Sequence, residues 1–207
     1  MTNFLKLFFV SILIAASACA PQKVEIPLDQ RSLDTVLAER SSIEKIDAAM
    51  SVVFEKTDSE MHGNAVIDIA QDGDMHMMVY ALGILAMDIS AKNGRVKSTP
   101  KLDRSKTTIL TRGLRDSLFW WDLTGFTVRE ENDQFILQNA TRQVVLDRRT
   151  MLPKKQMISF DDGKQVTVYY DMPAQVRGVW YQSRMRIELS RYAVTLTVRE
   201  ITFAGRS

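Results

Sequence analysis

Side chains equipped for catalysis are scarce in this chain. It carries two histidines, His62 and His76, and one cysteine, Cys19. Neither histidine stands at a metal-ligand spacing from Cys, Asp or Glu. His76 falls on the outward parity of an alternating stretch, as a solvated surface histidine would. Asp161 and Asp162 precede Gly163 in a turn sequence, where short carboxylates serve backbone hydrogen bonding. No glycine-rich phosphate loop and no nucleophile elbow occurs. We therefore expect no enzyme, no catalytic residue, no metal and no cofactor. The chemistry on offer is apolar. Met75–Ile89, MHMMVYALGILAMDI, is the longest predominantly apolar run outside the N-terminus and holds four of the eleven methionines. Such side chains are flexible and suit a cavity that accepts chains of varied shape, although they also fill plain cores.

The single thiol has its own context. Lys6 gives a short positive start, Leu7–Ala15 an apolar stretch, and Ala16-Ser17-Ala18 the small residues of a cleavage site. The apolar stretch falls short of the about 20 residues a spanning helix needs. Residues 1–18 are thus read as a signal peptide. A-S-A-C resembles a bacterial lipobox, in which the cysteine receives diacylglycerol and becomes the new N-terminus. Ala16 stands where that motif prefers a branched aliphatic residue, and the alternative is an ordinary secretory signal cleaved near Ala18 or Ala20. A lone exported cysteine forms no internal disulfide, and acylation at Cys19 accounts for it. Two or more acyl chains, palmitate among them, anchor stably where one binds only marginally. Ala20 after the cysteine resembles the sorting signal for the outer membrane of Gram-negative bacteria, with the protein facing the periplasm. Cleavage removes one base, Lys6, and no acid, so the net charge falls from +2 to +1. That balance argues against nucleic acid. Residues 19–28, with Pro21 and Pro27, read as a lipidated tether, and 29–207 as a single domain.

The domain alternates with a period of two almost throughout. A short amphipathic helix over Asp29–Glu39 comes first, with Asp29 or Ser32 as N-cap. Strands follow around Ile46–Phe54, Ala65–Ile69, Met75–Ala81, Ile84–Ala91 and Arg95–Ser98. Asp72-Gly73 and Asn93-Gly94 are tight-hairpin signals on either side of Met75–Ile89. They favour a hairpin over a buried helix there. Whether its two apolar faces coincide depends on the Leu82–Ile84 turn. Thr107–Trp121 returns to helical spacing, with Ile109, Leu110, Leu114 and Leu118 on one side and Gly113 interrupting. Strands resume at Phe126–Glu130, Gln134–Asn139, Arg142–Asp147, Lys155–Phe160, Gln165–Tyr170, Val179–Leu189 and Val194–Phe203. The last slips parity, which places a bulge near Arg199-Glu200. About 11 antiparallel strands with two or three helices predict a mainly β fold, a strongly curved sheet or half-open barrel with a helical lid or plug.

These features together resemble the LolA/LolB superfamily of lipoprotein carriers and receptors, nearest its membrane-anchored LolB-like branch. The resemblance rests on the lipobox-like start, the helix before the first strand and the Leu-Gly turn after the third strand. It rests further on the mid-chain helix and on D-R-R-T-M-L-P (Asp147–Pro153) before a hairpin. It implies a half-open barrel with a helical lid and an apolar cavity for acyl chains, acting as carrier or chaperone in lipoprotein transport. It implies a loop after the third strand that inserts into the membrane, here Leu82, Gly83, Ile84 and Leu85. The family's proline before Leu-Gly is Ala81 here. Expected partners are the membrane, through the lipid anchor, the acyl chains of a lipid or lipoprotein cargo, and a periplasmic LolA-like carrier.

The cavity residues are expected to be Phe54, Ile67, Met77, Val79, Met87, Leu137, Val168 and Met185. Trp120-Trp121 fits a lid edge, a membrane-interface anchor, or one core residue beside a partly exposed neighbour. Arg142, Arg148, Arg149, Lys154 and Lys155 fit a contact with anionic headgroups or an acidic partner, or a solvated basic loop. A second reading keeps the fold and drops the cargo: an accessory lipoprotein serving as an interaction module, its cavity filled by its own side chains.

Overall fold

Period-two alternation buries one face of each strand, and twelve such strands make one continuous antiparallel sheet. The computed structural model describes Ile26, residues 28–160 and residues 162–205. The signal segment 1–18, Cys19 and all of the 19–28 tether but Ile26 and Leu28 lie outside the described residues. Helix α1 (Leu33–Ser41) starts at Ser32, whose Oγ accepts from the Thr35 amide. Five strands follow in a meander: β1 (Ile43–Lys56), β2 (Ser59–Ala70), β3 (Met75–Ala81), β4 (Ile84–Lys92) and β5 (Arg95–Thr99). A helical crossover comes next, made of α2 (Arg104–Thr108), a π-helical turn (Ile109–Gly113) and α3 (Leu114–Leu118). A second meander closes the chain: β6 (Thr127–Glu131), β7 (Gln134–Gln138), β8 (Arg142–Asp147), β9 (Pro153–Ser159), β10 (Gln165–Val176), β11 (Val179–Leu189) and β12 (Tyr192–Gly205).

The strand order is β5-β4-β3-β2-β1-β12-β11-β10-β9-β8-β7-β6. The first and last strands pair at the centre, and β5 and β6 are free edges, so the barrel stays half open. The crossover must travel from one edge to the other, and it does so across the concave face. There Ile109, Leu110, Leu114 and Leu118 join the buried cluster with Ile67, Ile89, Leu137 and Ile187.

Local geometry explains where the strands depart from the sequence expectations. The bulge expected near Arg199-Glu200 is present: Ala49 pairs with Glu200 and Met50 with Val198, leaving Arg199 extra. Strand β10 runs past Tyr170 through Pro173 because β9 pairs with it only as far as Tyr169; beyond that it has β11 on one side alone, where a missing N–H is tolerated. Asp72-Gly73 sits in a four-residue loop rather than a two-residue turn, with Asp72 Oδ1 accepting from the Asp74 amide. The expected helix over Thr107–Trp121 starts earlier, capped by Asp103, and ends at Leu118. In the D-R-R-T-M-L-P element, Asp147 Oδ1 accepts from the amides of Arg149 and Thr150. Those bonds hold Met151 at φ 54° and seat Leu152 in the core.

Gly63 marks where β3 curls over β2. A β-carbon built there would lie 2.7 Å from the Tyr80 carbonyl oxygen. Gly63→Ala is therefore expected to lower stability by roughly 1–3 kcal/mol, as overpacking does. Urea denaturation measures it; an unchanged midpoint would mean that the two strands do not need this close approach.

Candidate functional site

The eight residues expected to line a cavity all lie on or at the rim of one apolar cluster. Ile67, Met77, Val79, Met87, Leu137, Val168 and Met185 are buried, and Phe54 is half-buried at the edge beside Tyr192. Register explains the grouping, since Met77 pairs with Ile89 and Val79 with Met87, so the inner faces of β3 and β4 coincide. Leu85 does not share that face. Ala86 is an extra residue between the Val79–Met87 and Tyr80–Leu85 pairs, and this bulge turns Leu85 outward beside Tyr80.

The crossover covers this face closely. The depression that remains at its mouth holds about 30 Å³, and of the eight residues only Met185 borders it. Drug-sized ligand cavities run to about 300–1,000 Å³. Wider open depressions of about 640 and 890 Å³ are lined chiefly by polar and charged side chains, such as Glu55 and Arg186 in one and Asp74 and Lys97 in the other.

What fixes the crossover is a buried cation that the basic-loop expectation misplaced. Arg148, Arg149 and Lys154 are exposed, whereas Arg142 is 7% exposed. Its parity with Val144 and Leu146 points it inward. Arg142 Nη1 donates to the Asp122 carbonyl at 2.6 Å, and Nη2 to those of Asp116, Phe119 and Trp120 at 3.1–3.4 Å. The Asp116 carbonyl belongs to the last turn of the helix and the other three to the segment just after it, where the Phe119 carbonyl also accepts from the Asp122 amide. Arg142 Nε finds no acceptor. Burial pushes the guanidinium pKa down, and the Asp116 carboxylate, 3.9 Å from Nη1, works against that. Arg115 completes the cluster. It pairs with Asp116 and Asp122 and donates to the Gln71 carbonyl, tying the crossover to the β2–β3 loop. Burial pushes Arg115 down, but its two carboxylates outweigh that and its pKa is raised. Tyr170 Oη lies 2.7 Å from Gln156 Oε1 and 3.1 Å from Ser117 O, with one proton to donate between them, and its burial raises its pKa. Trp120 and Trp121 are both buried against this end, packed edge to face, so neither serves as an exposed interface anchor.

The Met75–Ile89 hairpin ends in a two-residue turn, Leu82-Gly83, closed by the Ala81–Ile84 pair. Leu82 and Gly83 have φ of 52° and 78°, the values of a type I′ turn. Asn-Gly is the natural occupant; a leucine there costs about 1 kcal/mol. Leu82 is fully exposed, Ile84 73% and Leu85 49%. On the outer surface, His76 pairs with Asp88 at 2.9 Å. Among the described residues no group of three or more His, Cys, Asp or Glu gathers as a metal site would require.

No protein-family model matches the sequence, and no curated protein does. Solved structures do. A LolA superfamily protein from Nitrosomonas europaea aligns over 86% of this chain and 96% of its own, at 11% identity and a TM-score of 0.55. A DUF1329 family protein from Desulfovibrio piger aligns over 84% and 92%, at 9% identity and a TM-score of 0.58. The chain has the LolA-type fold, an open antiparallel β-barrel with a helical element across its concave side. The motifs that pointed to this superfamily therefore led to the right architecture.

Arg142→Met keeps the apolar stem and removes the donors on which the carbonyls of Asp116, Trp120 and Asp122 depend. It is expected to cost roughly 3–5 kcal/mol. Denaturant unfolding followed by tryptophan fluorescence reports it, and an unchanged midpoint would remove the fork as the anchor of the crossover.

Proposed function

We propose that this chain is an envelope lipoprotein that binds acyl chains on the concave face and takes part in lipoprotein or lipid transfer at the outer membrane. Residues 1–18 are removed, Cys19 carries the lipid, 19–28 form the tether, and 29–207 form the single binding domain. It faces the periplasm, and its cargo arrives from a LolA-like carrier. No enzymatic step enters the proposal.

One observation carries this reading: the tip of Leu82, Ile84 and Leu85. A protein holds three large aliphatic side chains in water, one of them in a strained turn, at a cost that a packed interior does not explain. Burying each in hydrocarbon gains about 1.5–3 kcal/mol. Three together bind a bilayer weakly, and the tethered lipid supplies the second attachment that stable membrane association needs. Ile67, Met77, Val79, Met87, Leu137, Val168, Met185 and the bordering Phe54 would meet the acyl chain once the crossover lifts.

The close covering of the concave face favours a second reading, an interaction module in an envelope complex whose barrel never opens. Native mass spectrometry of the gently purified protein separates the two. Co-purifying lipid is expected, and a strictly empty protein would favour the module. A paired mutational test addresses the tip. Leu82→Asn creates the preferred Asn-Gly turn, so it is expected to stabilise the fold by about 1 kcal/mol while weakening transfer. Leu82→Glu with Leu85→Glu is expected to abolish transfer and leave the urea midpoint close to that of the wild type. Full transfer by the folded double variant would end the tip's assigned role.

A further inference from the structure

Arg40 is the second buried guanidinium, and unlike Arg142 it lacks an ion-pair partner among the described residues. It lies on the apolar stripe of α1, one turn after Val36, and is 8% exposed. Its Nη2 donates to the Trp180 carbonyl, and its guanidinium sits 6.0 Å from the Trp121 ring centroid. The acids whose field reaches it, Glu39 and Asp29, are both engaged by Arg31. Burial lowers its pKa to about 10, so it remains charged at neutral pH. A desolvated cation with one hydrogen bond has lost its hydration with little in exchange.

The place it occupies is the 30 Å³ mouth pocket. Trp121 borders the same pocket, is 7% exposed, and its indole Nε1–H finds no acceptor among the described residues. Two donors, one of them cationic, thus border a space whose other walls include Trp120, Tyr181, Met185 and Phe203. Gln182 Oε1, also without a partner, adds an acceptor that a hydroxyl would satisfy. An apolar wall with one cation at its rim matches an amphiphile rather than a plain hydrocarbon.

We propose that this mouth is a headgroup subsite, in which Arg40 and Trp121 hold the anionic oxygens of a single-chain amphiphile, carboxylate or phosphate, while its tail runs onto the concave face. The subsite rests on the acyl-binding reading above and narrows it to a class of ligand. A bidentate arrangement on the guanidinium, with the indole donor beside it, supplies the partners that Arg40 and Trp121 lack.

The test uses delipidated mature protein with cis-parinaric acid and its methyl ester as fluorescent probes. They share a tail and differ in head charge. The wild type is expected to bind the acid at least tenfold more tightly than the ester. Arg40→Met should bind both alike, at the ester's affinity, while Arg40→Lys and Trp121→Phe keep part of the preference. Displacement of the acid by dodecyl phosphate more readily than by dodecanoate assigns the site to phosphate heads, and the reverse order to carboxylates. Equal affinity of the wild type for acid and ester overturns the subsite and leaves acyl binding intact. Binding of neither probe overturns both. The wild-type comparison holds even where a variant fails to fold.

Discussion

Helix α3 ends inside the barrel, where carbonyls of its last turn and of the segment just after it are buried, and the guanidinium of Arg142 donates to them. The topology creates this need. Two meanders join at the β1–β12 pair, so the link between them must run from the free edge at β5 to the free edge at β6. The short way lies across the concave face, and a helix that crosses there has to stop under cover. Arg142 and Arg115 bring two positive charges, and Asp116 and Asp122 two negative ones, so the cluster is close to neutral despite its burial. Removing one member would leave an uncompensated charge in a poor solvent for charge.

The same openness leaves two sheet edges that could recruit foreign strands. Both are protected by composition and length. Strand β5 has five residues, with Arg95 and Lys97 among them, and β6, also five, is exposed throughout and carries Arg129, Glu130 and Glu131. Against that background the Leu82 tip stands apart. The edges carry single exposed valines, Val96 and Val128, among charged neighbours, whereas Leu82, Ile84 and Leu85 lie bare together at the end of one hairpin. That contrast is what the proposed contact of the tip with an apolar partner rests on.

Periodicity made most of this legible in advance. Alternation placed Met75, Met77 and Val79 of β3 and Met87 and Ile89 of β4 on inner faces, where they lie, and the parity slip in β12 located its bulge. Helical spacing selected the four aliphatic residues with which the crossover packs. The polar interior escaped for a physical reason. Arg142 was grouped with Arg148 and Arg149 by nearness along the chain, whereas its parity with Val144 and Leu146 already set it inside. Arg40 likewise follows Val36 by one helical turn, so the stripe carried a cation that a count of apolar residues passes over. Leu85 turned outward because one extra residue, Ala86, inverts parity, and an isolated bulge leaves no mark in an apolar run. Long-range hydrogen bonds to carbonyls have no sequence signature at all.

Acyl binding on this fold would be an exchange of fillers rather than entry into a vacancy. The four aliphatic residues of the crossover, Ile109, Leu110, Leu114 and Leu118, are each worth about 1.5–3 kcal/mol of burial, so exposing them costs about 6–12 kcal/mol. A chain of about twelve methylenes placed on the same face recovers about 10 kcal/mol, at ~0.8 kcal/mol for each. The two terms nearly cancel, so neither the filled nor the loaded barrel is overwhelmingly favoured. The polar anchor then tips the balance, since the Arg142 fork must either travel with the crossover or release it. A carrier needs such a near-balance, because cargo held too firmly cannot be delivered. On this physics the close covering of the concave face is compatible with transport, and it sets the free-energy scale on which transport would run.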